Sequence, residues 1–279
     1  MAQHSFFKTK RTLLAIVSMS LFMFFLSACK DDDDDDGTLV VESTIDMDTK
    51  QEIPTVANRN ETGQANLKLY GDSTLRFSIS VSNLDGSDQL TLAHIHVGSP
   101  VDAGAPIVTL VDNSTNKFNG SKASGTMKLS TTQFNAVKDG SDFYVNVHST
   151  KFPLGLIRGQ LDIPITYAQN VDLTPMSNPM RPETGTAILR MAKDSTLYYK
   201  VTVNNLTQGD VLSAAQINVG AAGISGPSVI SLYGAAADYG MAKTVKLNAS
   251  QANFLLTSEV YVSVGSQQVA SELLRGQIR

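Results

Sequence analysis

The chain is predicted to be all-β, with two tandem antiparallel β-sandwich domains joined by Greek-key connections. Three observations carry this. Short segments alternate apolar and polar residues with a period of two and are rich in β-branched residues. Turn-forming residues punctuate them at regular intervals. The whole pattern then recurs once, at an offset of about 120 residues, which is too long for a solenoid unit and suits a domain pair.

The elements repeat in order. NETGQANLKLYGDSTLRFSISVSNL (60–84) returns as PETGTAILRMAKDSTLYYKVTVNNL (182–206). In each, YGDST or AKDST supplies a turn between two strands. LAHIHVGSP (92–100) returns as AAQINVGAA (214–222). TTQFNAV and ASQANFL are the plausible helical turns, opening on Ser/Thr residues able to cap them. FYVNVHS (143–149) returns as VYVSVGS (260–266), and LIRGQLD (156–162) as LLRGQIR (273–279). The junction near 162–166 is short, so contact between the domains is expected.

The N-terminal segment reads as targeting sequence. Lys8, Lys10 and Arg11 precede an apolar stretch from Leu13 to Leu26, too short for a membrane span. LSAC (26–29) resembles the lipobox of bacterial lipoproteins, which implies a signal peptide over 1–28 and a lipidated Cys29, the single cysteine of the chain. Residues 29–37 form an acidic tether whose six consecutive aspartates repel one another and bury nothing. An acidic run in that place resembles a surface-export signal of Gram-negative lipoproteins. The expected location is the outer membrane, exposed on the cell surface or, alternatively, facing the periplasm. The formal net charge of the full chain, −4, becomes −7 after cleavage and −2 without the tether. Such a balance gives no electrostatic footprint for nucleic acid. With Cys29 lipidated, no thiol remains for disulfides or thiolate metal sites.

The AHIHVG, YVNVHS and RGQL blocks, in that order, resemble the CHRD domain first described in chordin. The resemblance spans 38–163 and, in a degenerate form, 164–279. It implies a β-sandwich. Chordin binds growth factors, a role that does not transfer to a bacterial surface lipoprotein. The HxH block with a distant third histidine is also similar in pattern to Cu,Zn superoxide dismutase, so the sandwich is expected to be Ig-like or Cu,Zn-dismutase-like.

Of four histidines in the chain, His4 lies in the leader; His94, His96 and His148 remain. Residues i and i+2 of a strand share a face, so His94 and His96 project together about 7 Å apart at Cα, while Ala93, Ile95 and Val97 point into the core. The same alternation groups Tyr144, Asn146 and His148 against Val145 and Val147. If the two strands share a sheet, three imidazoles converge, a donor set suited to one copper or zinc ion with a coordination position left open. Asn146 and Tyr144 would support the ligands from behind. The competing reading makes the histidines ordinary polar residues. In the second repeat their places hold Gln216, Asn218 and Gly265, with Ser263 for Asn146, while the apolar positions are kept. The three imidazoles thus leave together. RGQ persists in both copies, so Arg158 and Arg275 read as structural, bound to carbonyls or to a carboxylate, with Glu61 and Glu183 as candidate partners.

Three functions are weighed: a lipid-anchored metal-binding envelope protein, a dismutase-type redox enzyme, and a non-catalytic adhesion or scaffold module presenting loops to a protein or surface ligand. The first is preferred, with the third behind it. Whether the chain is an enzyme is left open, with binding favoured over catalysis.

Overall fold

The computed structural model describes residues 37–279 apart from 55, 113, 141 and 177–180. The signal peptide, Cys29 and all six aspartates of the acidic run lie outside the described residues.

Repeat 1 contains β1 (Leu39–Asp48), β2 (Thr62–Tyr70), β3 (Thr74–Ser82), β4 (Leu90–Val97), β5 (Pro106–Val111), β6 (Lys122–Lys128), α1 (Thr131–Asp139), β7 (Phe143–Ser149) and β8 (Ile157–Gln160). Repeat 2 follows with β9 (Ile165–Pro175), β10 (Thr184–Ala192), β11 (Thr196–Asn204), β12 (Leu212–Val219), β13 (Ser228–Tyr233), β14 (Lys243–Lys246), α2 (Ala249–Thr257), β15 (Val260–Ser266) and β16 (Leu274–Gln277). The strand orders are β5-β4-β7-β8-β1-β2-β3-β6 and β13-β12-β15-β16-β9-β10-β11-β14. Each is the same antiparallel arrangement of two four-stranded halves, the chain crossing between them after the third, fifth and sixth strands of the repeat. The halves meet at Asp48 opposite Arg158 in repeat 1, and at Thr174 opposite Arg275 in repeat 2.

Alternation explains the layers. Ile45, Leu67 and Ile79 from one half, and Ile95, Val108 and Val145 from the other, enter one buried cluster. Val171, Leu189 and Val201 meet Ile217, Ile230 and Val262 in the same way. Each repeat is therefore a sandwich around its own core. Val97 departs from the expected pattern. It is 41% exposed, because it ends β4 opposite Phe143, past the edge of the core and beside the turn at Gly98.

Local chemistry sets the boundaries. Asp72 accepts from the backbone N–H of Thr74 at 2.9 Å, and Asp194 from that of Thr196 at 3.0 Å, closing the two DST turns with Ser73 and Ser195 at positive φ. Both helices open with a capping box, but one residue ahead of TTQ and of ASQ. Ser130 and Asn248 are the caps, paired with Gln133 and Gln251. Only from there does the side chain reach the amide three residues on while the Gln reaches back. The glycine of RGQ has a steric cause: a Cβ on Gly159 would lie 2.4 Å from the Asp46 carbonyl oxygen, and one on Gly276 2.5 Å from that of Asp172.

The repeats also touch. Arg190 of β10 is fully buried and donates to the carbonyls of Gln51 (3.2 Å) and Glu52 (3.4 Å), across the boundary between the copies. Asn170 of β9 donates to the same Glu52 carbonyl at 3.0 Å. Lys200 pairs with Asp102 at 2.8 Å.

Candidate metal centre

β4 lies between β5 and β7, and β7 between β4 and β8. Register places His94, Asn146, Arg158 and Asp48 in one row across the strands, and His96, Tyr144 and Gln160 in the next. A register break between Leu90 and Ala93 separates the Ser149 and Val147 pairings, and His148 falls within it, diagonal to His94. Strand alternation and adjacency thus bring the three imidazoles to one face.

The convergence is close. One ring nitrogen from each of His94, His96 and His148 lies within 4.8 Å of the others. His94 Nδ1 is 3.0 Å from His148 Nε2. Backbone carbonyls select the tautomers. His96 Nδ1 donates to Gly104 O at 2.9 Å, and His148 Nδ1 to Pro153 O at 3.0 Å. Each leaves an Nε2 lone pair facing the cluster; that of His148 accepts from His94 Nδ1, and that of His96 is buried without a partner. Burial holds all three rings below the usual imidazole range. For His94, burial and then the neighbouring His148 and His96 rings bring it down to about 4. For His96 and His148 burial outweighs the carbonyl hydrogen bonds, which act the other way. At neutral pH the face presents three uncharged imidazoles, the form that ligates metal.

Tyr144 and Asn146 stand where the alternation predicts. Tyr144 stacks on His96 with centroids 5.0 Å apart and planes inclined by 15°. Its hydroxyl accepts from the N–H of Gly104, the residue whose carbonyl orients His96. The Arg158 guanidinium lies 3.5 Å from the centroid of the Tyr144 ring and donates to Ser99 O at 2.7 Å and Gln160 Oε1 at 3.2 Å. Gln160 donates to Gly98 O at 2.7 Å. Arg158 therefore clamps the turn after AHIHV.

Repeat 2 keeps the clamp without the imidazoles. Arg275 stacks 3.4 Å over Tyr261 and donates to Ala221 O at 2.7 Å, and Gln277 donates to Gly220 O at 3.0 Å. Gln216 faces Ser263, and Asn218 Nδ2 donates to Ser263 Oγ at 2.8 Å. A polar recess of about 490 Å³ lined by Gln216, Asn218, Ser263, Tyr261 and Glu272 stands in place of the histidine face.

The carbonyl reading of the RGQ arginines holds, but Glu61 and Glu183 are not their partners. Glu61 pairs with Arg59 and Glu183 with Arg181, and the same arginines reach Asp88 and Asp210, both at 2.9 Å. An arginine two residues ahead on the same segment reaches the glutamate before a distant strand end does. The shared Arg-x-Glu spacing, Arg59–Glu61 and Arg181–Glu183, was the available signal.

The site also contains Glu52, which no motif marks. It is 2% exposed and follows the 3-10 turn Thr49–Gln51. Its Oε1 accepts from Ile53 N at 2.9 Å and from Asn146 Nδ2 at 3.3 Å; Oε2 is buried with no hydrogen-bond partner. Burial raises this carboxyl to about 7, against the lowering influence of the Ile53 N–H, Arg158 and Arg190. Asn146 Oδ1 is likewise buried and unpartnered. A Cβ on Gly155 would meet Glu52 Oε2 at 2.5 Å, so glycine at that position makes room for the carboxylate.

The CHRD domain model matches residues 43–161 and again 164–278, and the chain belongs to the CHRD family. Neither the curated proteins nor the solved structures give a match.

Proposed function

We propose that this chain is a lipid-anchored cell-envelope protein whose first CHRD domain binds one copper or zinc ion through His94 Nδ1, His96 Nε2 and His148 Nε2. The observation that carries the reading is the pair of carbonyl-fixed tautomers, Gly104 on His96 and Pro153 on His148, which aim two lone pairs at the atom the third histidine presents. Imidazole nitrogens suit both metals, and three of them leave a position for water or an exchangeable ligand. Storage, sensing or sequestration fits a single exchangeable site. Residues 1–28 serve as signal peptide, Cys29 carries the lipid, and 29–37 holds the domains off an outer membrane, on its outer face.

Metal analysis of residues 37–279 after copper or zinc exposure and desalting tests the reading, beside a His94→Ala/His96→Ala variant. One equivalent in the wild type and none in the variant is expected. No retained metal in the wild type would leave the alternative, a surface adhesion or scaffold module.

A further inference from the structure

We propose that Glu52 is the positioning and charge-balancing carboxylate of the three-histidine centre, acting through Asn146, and that repeat 2 builds its seat through Arg190 and Asn170. This rests on the metal-binding reading above.

Asn146 shares the histidine face, opposite His94 and two residues from His148. Its amide has one donor end and one acceptor end. Glu52 takes the donor end, so Oδ1 is turned away from the carboxylate and is left, buried, without a partner. An ion held by three imidazoles keeps a water in its fourth position. Asn146 Oδ1 is an acceptor for a hydrogen of that water. Glu52 thereby sets which end of the amide the centre meets.

Charge points the same way. Arg158 and Arg190, both buried, act on Glu52; Asp102 also acts on Arg158, and Asp48 on Arg190, but Glu52 is the carboxylate that both guanidiniums share. A divalent ion on three neutral imidazoles adds two more positive charges. In a desolvated site such an excess opposes binding unless an anion answers it. Glu52 is the carboxylate in contact with a residue of the histidine face.

The second repeat shows that a carboxylate here is not a fixed part of the clamp. The position aligned with Gly155 is Glu272, which accepts from Tyr261 OH at 2.9 Å and lies 3.7 Å from Arg275 Nη1. There the carboxylate serves the arginine and tyrosine. In repeat 1 that position is glycine, and a carboxylate from a different segment occupies the space and turns to Asn146 instead. Its backbone is held from the other domain, by Arg190 and by Asn170 at the Glu52 carbonyl. The residue aligned with Arg190 in repeat 1 is Lys68, which is solvent-facing and pairs with Glu42 at 3.1 Å. The bracing arginine belongs to the copy that lacks the histidines.

Zn²⁺ and Ag⁺ titrations of residues 37–279 test this, using wild type, Glu52→Gln, Asn146→Ser and Arg190→Met. Glu52→Gln is expected to keep one site and weaken Zn²⁺ about 10- to 100-fold, in line with loss of an outer hydrogen-bonding partner of a metal centre. Monovalent Ag⁺ is expected to weaken by no more than a few-fold, because it adds half the charge. A merely structural role would move both ions equally, and that result overturns the proposal, as does unchanged Zn²⁺ affinity. Asn146→Ser, which adopts the residue of repeat 2, is expected to reproduce the Zn²⁺ loss even if Glu52→Gln fails to fold. Arg190→Met is expected to weaken Zn²⁺ in the same direction; unchanged affinity there overturns the part assigned to repeat 2. Wild type that binds neither ion sinks the metal-binding reading itself. Wild type that binds zinc with Glu52→Gln equal to it sinks only the role given to Glu52.

Discussion

At matching register positions, repeat 1 sets His94, Asn146 and Arg158 in a row where repeat 2 sets Gln216, Ser263 and Arg275. The neighbouring row is His96, Tyr144 and Gln160 against Asn218, Tyr261 and Gln277. What the rows share is the arginine stacked on tyrosine and the glutamine on a turn carbonyl. What they do not share is the chemistry. The difference is instructive within one molecule: the same strand rows are kept where every imidazole is exchanged.

The strongest way to break this comparison is to convert one row into the other. His94→Gln, His96→Asn, Asn146→Ser and His148→Gly together should abolish metal retention while leaving the far-ultraviolet circular dichroism unchanged. A variant that unfolds would show that the histidines are part of the frame. Next in size is the clamp. Arg158→Ala and Arg275→Ala should each destabilise the fold by about 3 kcal/mol in denaturant titrations, since each removes a buried stack and a carbonyl bond. A loss confined to Arg158→Ala would mean that its role is tied to the centre rather than to the sandwich.

The third prediction concerns pH. Burial raises Glu52 from an ordinary 4.5 to about 7, so the fold favours its protonated form. That contribution is full below about 4.5 and is lost as pH rises to about 7. His94, brought down from 6.5 to about 4, acts oppositely: its contribution is full above 6.5 and is lost as pH falls toward 4. The two slopes oppose one another over a shared window. Glu52→Gln should therefore expose the acid-side loss, with metal-free stability falling by about 3 kcal/mol between pH 7 and pH 4 and less than that in wild type. Identical profiles for the two proteins would show that Glu52 does not titrate in this range. The smallest effect sharpens the shared frame. Ser130→Ala and Asn248→Ala should each cost about 1 kcal/mol, equally in the two repeats, by thermal melts. Unequal costs would show that one helix matters more to its sandwich than the other.

Much of this was legible in the chain. Period-two alternation placed Ala93 and Ile95 in the core and the two histidines opposite, because side-chain direction in a strand is a local property. Duplication did the rest, since two copies reveal which positions the fold needs. Val97 escaped because alternation says nothing about where a core ends. Carbonyl partners for Arg158 and Arg275 were legible, but the pairing with Glu61 and Glu183 failed because an arginine two residues away takes each glutamate. Glu52 and Arg190 were not legible for a related reason. Glu52 is a single residue after a 3-10 turn, packed against the distant Gly155, and Arg190 aligns with the solvent-facing Lys68. Their places depend on how two domains meet, and no local periodicity encodes that. The replacement of Gly155 by Glu272 was the one trace in the alignment of the repeats that a carboxylate had changed position.

The guanidinium of Arg190 has a consequence for heating. To melt either copy alone is to strand a buried cation, or the Gln51 and Glu52 carbonyls it holds, without hydrogen bonds. The two sandwiches should then share a single calorimetric endotherm rather than two. A ligand that binds only native repeat 1 would raise that endotherm by mass action and carry repeat 2 up with it. A copy with no ligand of its own would inherit its neighbour's heat tolerance.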